Sequence, residues 1–144
     1  MNDAQSIFSA AAERARQMGL PYAGAVTPQE AHRLRELGAA RLVDVRTAQE
    51  WQHVGHVEGE VPLIEWPRNG DSQAVAAFVQ KVEEALDPEE PVLFLCRSGV
   101  RSHYAAHVAT QAGFKHAYNI LEGFEGAEGV RGGWRNHGLP WTKG

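Results

Sequence analysis

The only cysteine of the chain stands in a setting that would make a thiol reactive. Cys96 ends the apolar run Leu93-Phe94-Leu95 and opens the segment Cys96-Arg97-Ser98-Gly99-Val100-Arg101-Ser102. A free thiol is mostly protonated near neutral pH, because its reference pKa is ~8.5. Three features of the segment favour the thiolate. Successive backbone N–H groups in a tight loop can converge on one atom. The helix expected after the loop presents a positive end, equivalent to about half a charge. Arg97 and Arg101 add permanent full charges. Gly99 permits a positive φ, and Ser98 and Ser102 supply hydroxyl donors, with Ser102 also placed to cap the helix. The segment therefore reads as a nucleophile, Cys96, followed by an anion-binding loop of Arg97, Ser98, Gly99, Val100, Arg101 and Ser102. The competing reading is a buried cysteine that acts as a small hydrophobe. A structural cysteine has no use for two Arg and a Gly in the next five positions.

Other polar residues are candidates for support. Asp44 ends a strand-like segment and is placed to bind the backbone or an Arg of the Cys96 loop. Arg46 and Glu50 are four apart, the spacing of a surface ion pair worth under about 1 kcal/mol, so Arg46 reads as structural support. His56 reads as stabilising a turn. Trp66 and Trp134 fit either a pocket mouth or the core. His103 and His107 stand four apart on an expected helix, a two-ligand face. No carboxylate follows as in H-E-x-x-H and no third ligand is evident, so no metal is assigned.

The elements that must position these groups alternate. Residues 3–18 form an amphipathic helix pattern through Ile7, Phe8, Ala11, Ala15 and Met18, ended by Gly19 and Pro21. Thr27-Pro28-Gln29-Glu30 is a capping box that opens a helix ending at Gly38. Leu42 to Arg46 reads as a short buried strand, and Thr47-Ala48-Gln49-Glu50 caps a further helix. A turn holds Gly55 to Gly59, and Val61 to Trp66 reads as another strand with Pro62 at its start or at an edge. Asp71 caps a helix carrying Val75, Phe78, Val79, Val82 and Leu86, stopped by Asp87-Pro88. Pro91 to Leu95 is the most strand-like run. A helix from Ser102 to Ala112 and a strand from Ala117 to Leu121 follow. A long loop is marked by Gly123, Gly126, Gly129, Gly132 and Gly133, with a short helix at 134–137. Alternating strands and helices imply parallel pairing. Ligands of such sheets sit beyond the carboxyl ends of the strands, where Cys96 falls.

At 144 residues the chain is the size of one domain, and 43% hydrophobic with 22% charged residues is ordinary for a globular protein. A net charge of -4 argues against sequence-independent nucleic-acid binding. One cysteine excludes an intrachain disulfide and a Cys-rich zinc site. No leader pattern and no apolar stretch of membrane-spanning length is read, so a cytoplasmic location without membrane partners is expected, where Cys96 stays reduced.

The loop Cys96 to Ser102 resembles the active-site loop of single-domain rhodanese-family sulfurtransferases, Cys-Arg-Ser-Gly-x-Arg-Ser. Leu42-Val43-Asp44-Val45-Arg46 with Glu50 is similar to the family's Asp-x-Arg…Glu segment, and Gly55-His56-Val57 to its Gly-His-Ile turn. Asn119-Ile120-Leu121-Glu122-Gly123 and Gly133-Trp134…Gly138-Leu139-Pro140-Trp141 are similar to its closing motifs. The likeness implies an α/β fold with a five-stranded, mainly parallel sheet flanked by helices. It divides the chain into an N-terminal helical extension, 1–22, and a rhodanese-like domain, 23–144. It implies that Cys96 takes sulfur from an anionic donor such as thiosulfate and holds it as a persulfide. Cyanide, a thiol or a protein acceptor then removes the sulfur, with no cofactor. Two departures fall in loops: Glu58-Gly59-Glu60 follows His56-Val57, and the stretch before Gly133 is long and glycine-rich. Two other classes stand beside this one. A phosphatase or arsenate reductase spaces its Cys and Arg by five residues, whereas four separate Cys96 from Arg101, a loop that suits one sulfur atom better than a phosphate. A non-catalytic binding or regulatory module usually lacks the nucleophile that this chain keeps.

Overall fold

Local hydrogen bonding starts three of the helices. In the computed structural model, which describes residues 2–126 and 132–143, helices α1 (Asp3–Met18), α2 (Pro28–Glu36) and α3 (Ala48–His53) each begin with a reciprocal capping box. The pairs are Asn2 with Gln5, Thr27 with Glu30 and Thr47 with Glu50. Each cap satisfies backbone donors that a helix start leaves open, an effect of ~1 kcal/mol. Helices α4 (Ser72–Ala85), capped by Asp71, and α5 (Val100–Gln111) complete the set.

The strands are β1 (Gly24–Val26), β2 (Arg41–Asp44), β3 (His56–Val57), β4 (Val92–Leu95), β5 (Ala117–Ile120) and β6 (Trp141–Thr142). Four of them form a parallel sheet in the order β1-β5-β4-β2, and β3 pairs antiparallel with β6. Strand β1 has no signature of its own, being a three-residue Gly-Ala-Val segment. The strand expected over Val61–Trp66 contracts to one bridge, Leu63 beside Asp44. Its backbone still lies along β2: Asp44 N–H donates to Pro62 O at 3.0 Å and Ile64 N–H to Asp44 O at 2.9 Å. Pro62 has no N–H to extend the ladder upstream. The main sheet thus has four regular strands and a vestigial fifth.

Alternation along β4 sets the two cores. Val92, Phe94 and Cys96 face the layer of α4 and α5, with Phe78, Val82, Ala105 and Ala109. Leu93 and Leu95 face the other side, with Ala11, Ala31, Leu34 and Trp134. The N-terminal helix belongs to that second core. A Cβ on Gly24 would stand 2.7 Å from the Ala11 carbonyl, so only glycine lets α1 approach β1 this closely. Arg14 then donates to Ala25 O at 2.9 Å and to both carboxylate oxygens of Glu30 at 2.6 and 3.0 Å, tying α1 to β1 and α2. Among the described residues no helix is long and apolar enough to cross a membrane. Residues 127–131, part of the glycine-rich loop read from the sequence, lie outside the described residues.

Candidate active site

Strand β4 ends at Leu95, and Cys96 follows at its carboxyl end with 1% of its surface exposed. One backbone amide donates to its sulfur among the described residues: Gly99 N–H, 3.1 Å from Sγ. The expected convergence of several amides is therefore reduced to one. Gly99 adopts φ 100° and is itself the N-cap of α5, which begins at Val100. Ser102 is not the cap. It sits in the first turn, with Oγ 3.2 Å from Cys96 Sγ.

Ser102 is also 2.5 Å from Asn119 Oδ1, and Asn119 Nδ2 donates to Gly99 O at 3.1 Å. The second bond fixes the amide, because turning it over would set Oδ1 against the Gly99 carbonyl. Asn119 Oδ1 must then accept the hydroxyl hydrogen of Ser102, which has no other to give. The thiol of Cys96 is left to donate to Ser102 Oγ. For the thiolate, Gly99 N–H and the positive end of α5 are the fixed stabilising groups.

The two loop arginines are spent differently. Arg101 makes a two-pronged pair with Glu50, Nη1 to Oε1 at 2.7 Å and Nη2 to Oε2 at 2.9 Å. Burial alone would raise the Glu50 carboxyl, but hydrogen bonds from Arg101 and Thr47 and the charge of Arg101 outweigh it and hold the group at about 2. The same hydrogen bond raises Arg101, against the effect of its burial, with help from the charges of Glu50, Cys96 and Asp44. Arg97 is 65% exposed, with Nε 3.4 Å from Glu125. Ser98 has no side-chain hydrogen bond among the described residues, and Val100 is 61% exposed.

Asp44 and Arg46 are placed otherwise than their spacing suggested. Arg46 is fully buried and pairs with Asp44, Nη2 to Oδ2 at 2.8 Å, not with Glu50. It also donates to Gly55 O at 2.8 Å, and its guanidinium lies 4.4 Å from the Phe124 ring centroid. Nη1 is buried without a hydrogen-bond partner, which suits a cation over an aromatic face. Asp44 binds the Arg46 backbone N–H and side chain rather than an Arg of the Cys96 loop. The support reaches the loop indirectly, since Phe124 N–H donates to Cys96 O at 2.8 Å and Glu125 N–H to Arg97 O at 2.9 Å. Gly123, at φ 65°, makes this approach feasible: a Cβ there would stand 2.5 Å from Cys96 O and from the Arg97 carbonyl.

Three contributors escaped the reading of site residues: Asn119, Glu50 as the partner of Arg101, and Gly123. Asn119 carried two signals, a polar side chain inside the strand-like run Ala117–Leu121 and its place in the closing motif Asn119–Gly123. His103, four residues from His107 and given no metal in the sequence, has Nδ1 2.7 Å from the Tyr22 hydroxyl. His56 stacks flat on Trp51, with centroids 3.5 Å apart. Trp134 is core, buried with Nε1 donating to Pro140 O at 2.9 Å. Trp66 lines a cavity of about 500 Å³ beside the Cys96 loop, with Arg68, Arg97, Val100, Arg101 and Tyr104.

The rhodanese-like domain model matches residues 27–129, most of the chain and all of the Cys96 loop. The chain belongs to the rhodanese-like domain family. This rhodanese-like chain is 42% identical over 106 residues to an uncharacterised protein of Rickettsia conorii, covering 71% of this chain and 82% of the relative. It is 35% identical over 100 residues to thiosulfate sulfurtransferase GlpE of Pseudomonas aeruginosa, covering 69% and 79%. Among solved structures, Rv0390 from M. tuberculosis matches with a TM-score of 0.71 and 44% identity, over 85% of this chain and 99% of that one. These likenesses agree with the α/β architecture and its mainly parallel sheet.

Proposed function

We propose that this rhodanese-like chain is a sulfurtransferase that carries a sulfane sulfur on Cys96. It takes the atom from a small anionic donor such as thiosulfate and gives it to a thiophilic acceptor, which is cyanide or a thiol, free or on a protein. The observation that carries this reading is the Cys96 sulfur at the end of β4, 3.1 Å from Gly99 N–H and before the first turn of α5. The name and 35% identity of the Pseudomonas aeruginosa relative support the same reaction class.

The reaction is a double displacement. The Cys96 thiolate attacks the outer sulfur of thiosulfate, the sulfur–sulfur bond of the donor breaks, and sulfite leaves with the bonding pair. A persulfide anion remains on Cys96. The acceptor then attacks the outer sulfur, the new sulfur–sulfur bond breaks, and the pair returns to Sγ. Neither step draws on a metal or organic cofactor. Gly99 N–H and the end of α5 are fixed before either step, as preorganised donors must be to act on developing charge. Arg101, held by Glu50, shapes the loop, while Arg97 is exposed to meet the donor.

Intact-mass measurement tests this. Protein treated with thiosulfate gains one sulfur atom and loses it on addition of cyanide, and Cys96→Ser gains none. A sulfur adduct that survives in Cys96→Ser removes the proposal.

A further inference from the structure

We infer that Arg68, beside the aromatic pair Trp66 and Tyr104, recognises an acceptor thiol that carries a carboxylate. This rests on the sulfurtransferase reading and names the acceptor class for the same site. The cavity next to the Cys96 loop measures about 500 Å³. Cavities of roughly 300–1,000 Å³ enclose ligands of many atoms. Thiosulfate and cyanide have a handful of atoms each, so neither accounts for the space.

Charge at this mouth is unevenly committed. Arg101 is neutralised by both oxygens of Glu50, and Arg97, 65% exposed with Nε 3.4 Å from Glu125, is the cation assigned above to the donor. Arg68 is exposed and has no ion pair among the described residues. It is therefore the cation at the mouth that is open to a carboxylate, which a guanidinium binds by two parallel hydrogen bonds. Its position is anchored through Trp66, two residues earlier. Trp66 N–H donates to Val45 O at 2.9 Å, and its ring packs edge-on against Phe78 at 5.0 Å. Tyr104 lies near-parallel to Trp66, with centroids 6.4 Å apart, and remains 51% exposed. With exposed Val100, these rings offer apolar walls to the body of a thiol whose charged group reaches Arg68. An acceptor thiolate held there attacks the outer persulfide sulfur, the bond to Cys96 Sγ breaks, and the pair stays on Sγ.

The test isolates the acceptor half-reaction. Protein is first loaded with thiosulfate, freed of excess donor and checked by mass, so failure to load indicts the sulfurtransferase reading and not the role of Arg68. Loaded protein is then mixed with glutathione or with glutathione diethyl ester, which keeps the thiol and loses the carboxylate charges. In Arg68→Gln the second-order rate with glutathione falls about tenfold and that with the ester stays within about twofold, the size of one lost charge-assisted hydrogen bond. Arg68→Lys recovers part of the glutathione rate. Equal rates for the two thiols with the unmodified protein, or equal slowing of both by Arg68→Gln, overturn the proposal.

Discussion

Arg101 and Glu50 face each other across 51 residues of sequence and meet through two hydrogen bonds of 2.7 and 2.9 Å. Glu50 also accepts from Thr47 N–H and returns the capping box that starts α3. One carboxylate thus sets a helix start and the far end of the Cys96 loop.

This pairing makes acid stability depend on Glu50. Its carboxyl is held at about 2, below the ordinary 4.5. A depressed folded value means the unfolded chain binds the proton more readily, so the stabilisation is complete above about 4.5 and fades as pH falls from 4.5 toward 2. Glu50→Gln removes this contribution at neutral pH and flattens the acid limb of denaturation midpoint against pH. An unchanged acid limb contradicts the assignment.

Asn119 controls the Ser102 hydroxyl. With Asn119→Ala the hydroxyl hydrogen is released from its 2.5 Å bond and can turn to the sulfur 3.2 Å away. Alkylation of Cys96 by iodoacetamide at neutral pH is expected to quicken several-fold, and adding Ser102→Ala should cancel the gain. A rate indifferent to Ser102 in the Asn119→Ala background refutes the hydrogen-bond assignment.

Gly123 and Gly38 have nearly the same positive φ, 65° and 67°, but not the same surroundings. Gly38 has open space where a Cβ would go, whereas Gly123 has the carbonyls of Cys96 and Arg97 at 2.5 Å. Gly38→Ala should cost ~1–2 kcal/mol of left-handed strain. Gly123→Ala should cost roughly 1–3 kcal/mol more, the range for overpacking, and should also slow sulfur loading. Chemical denaturation of both variants reads the difference, and equal losses would mean the loop yields freely.

Arg46→Ala strands the carboxylate of Asp44, which is 1% exposed. Breaking a buried pair by removing one partner costs about 3–5 kcal/mol. Joint replacement, Asp44→Asn with Arg46→Met, should recover much of that loss in thermal unfolding. A single variant no worse than the double one would show that the pair contributes little.

What the chain revealed before folding was mostly local. The Thr27–Glu30 and Thr47–Glu50 boxes close within four residues, so their helices were readable from spacing alone. The Cys96 loop was readable too, because strand end, glycine and helix start are consecutive. Pairings made by the fold were not. Arg46 and Glu50 sit at helical spacing, yet each has a better partner, since Asp44 is buried beside Arg46 and α5 brings Arg101 to Glu50. Strand β1 forms because β5 offers an edge to Gly24–Val26, not because that segment favours a strand. The role of Asn119 likewise depends on partners the fold supplies, Ser102 in α5 and the Gly99 carbonyl at its cap.

Among the described residues, the closest donor to the Cys96 sulfur, at 3.1 Å, belongs to the peptide unit of Gly99 and not to a side chain. No exchange of one coded residue for another, proline aside, deletes that hydrogen. A survey of point variants will therefore leave this part of the site invisible and credit its effect to neighbours that merely hold the loop in shape. Replacing one amide by an ester through chemical synthesis is the substitution that would make its share measurable.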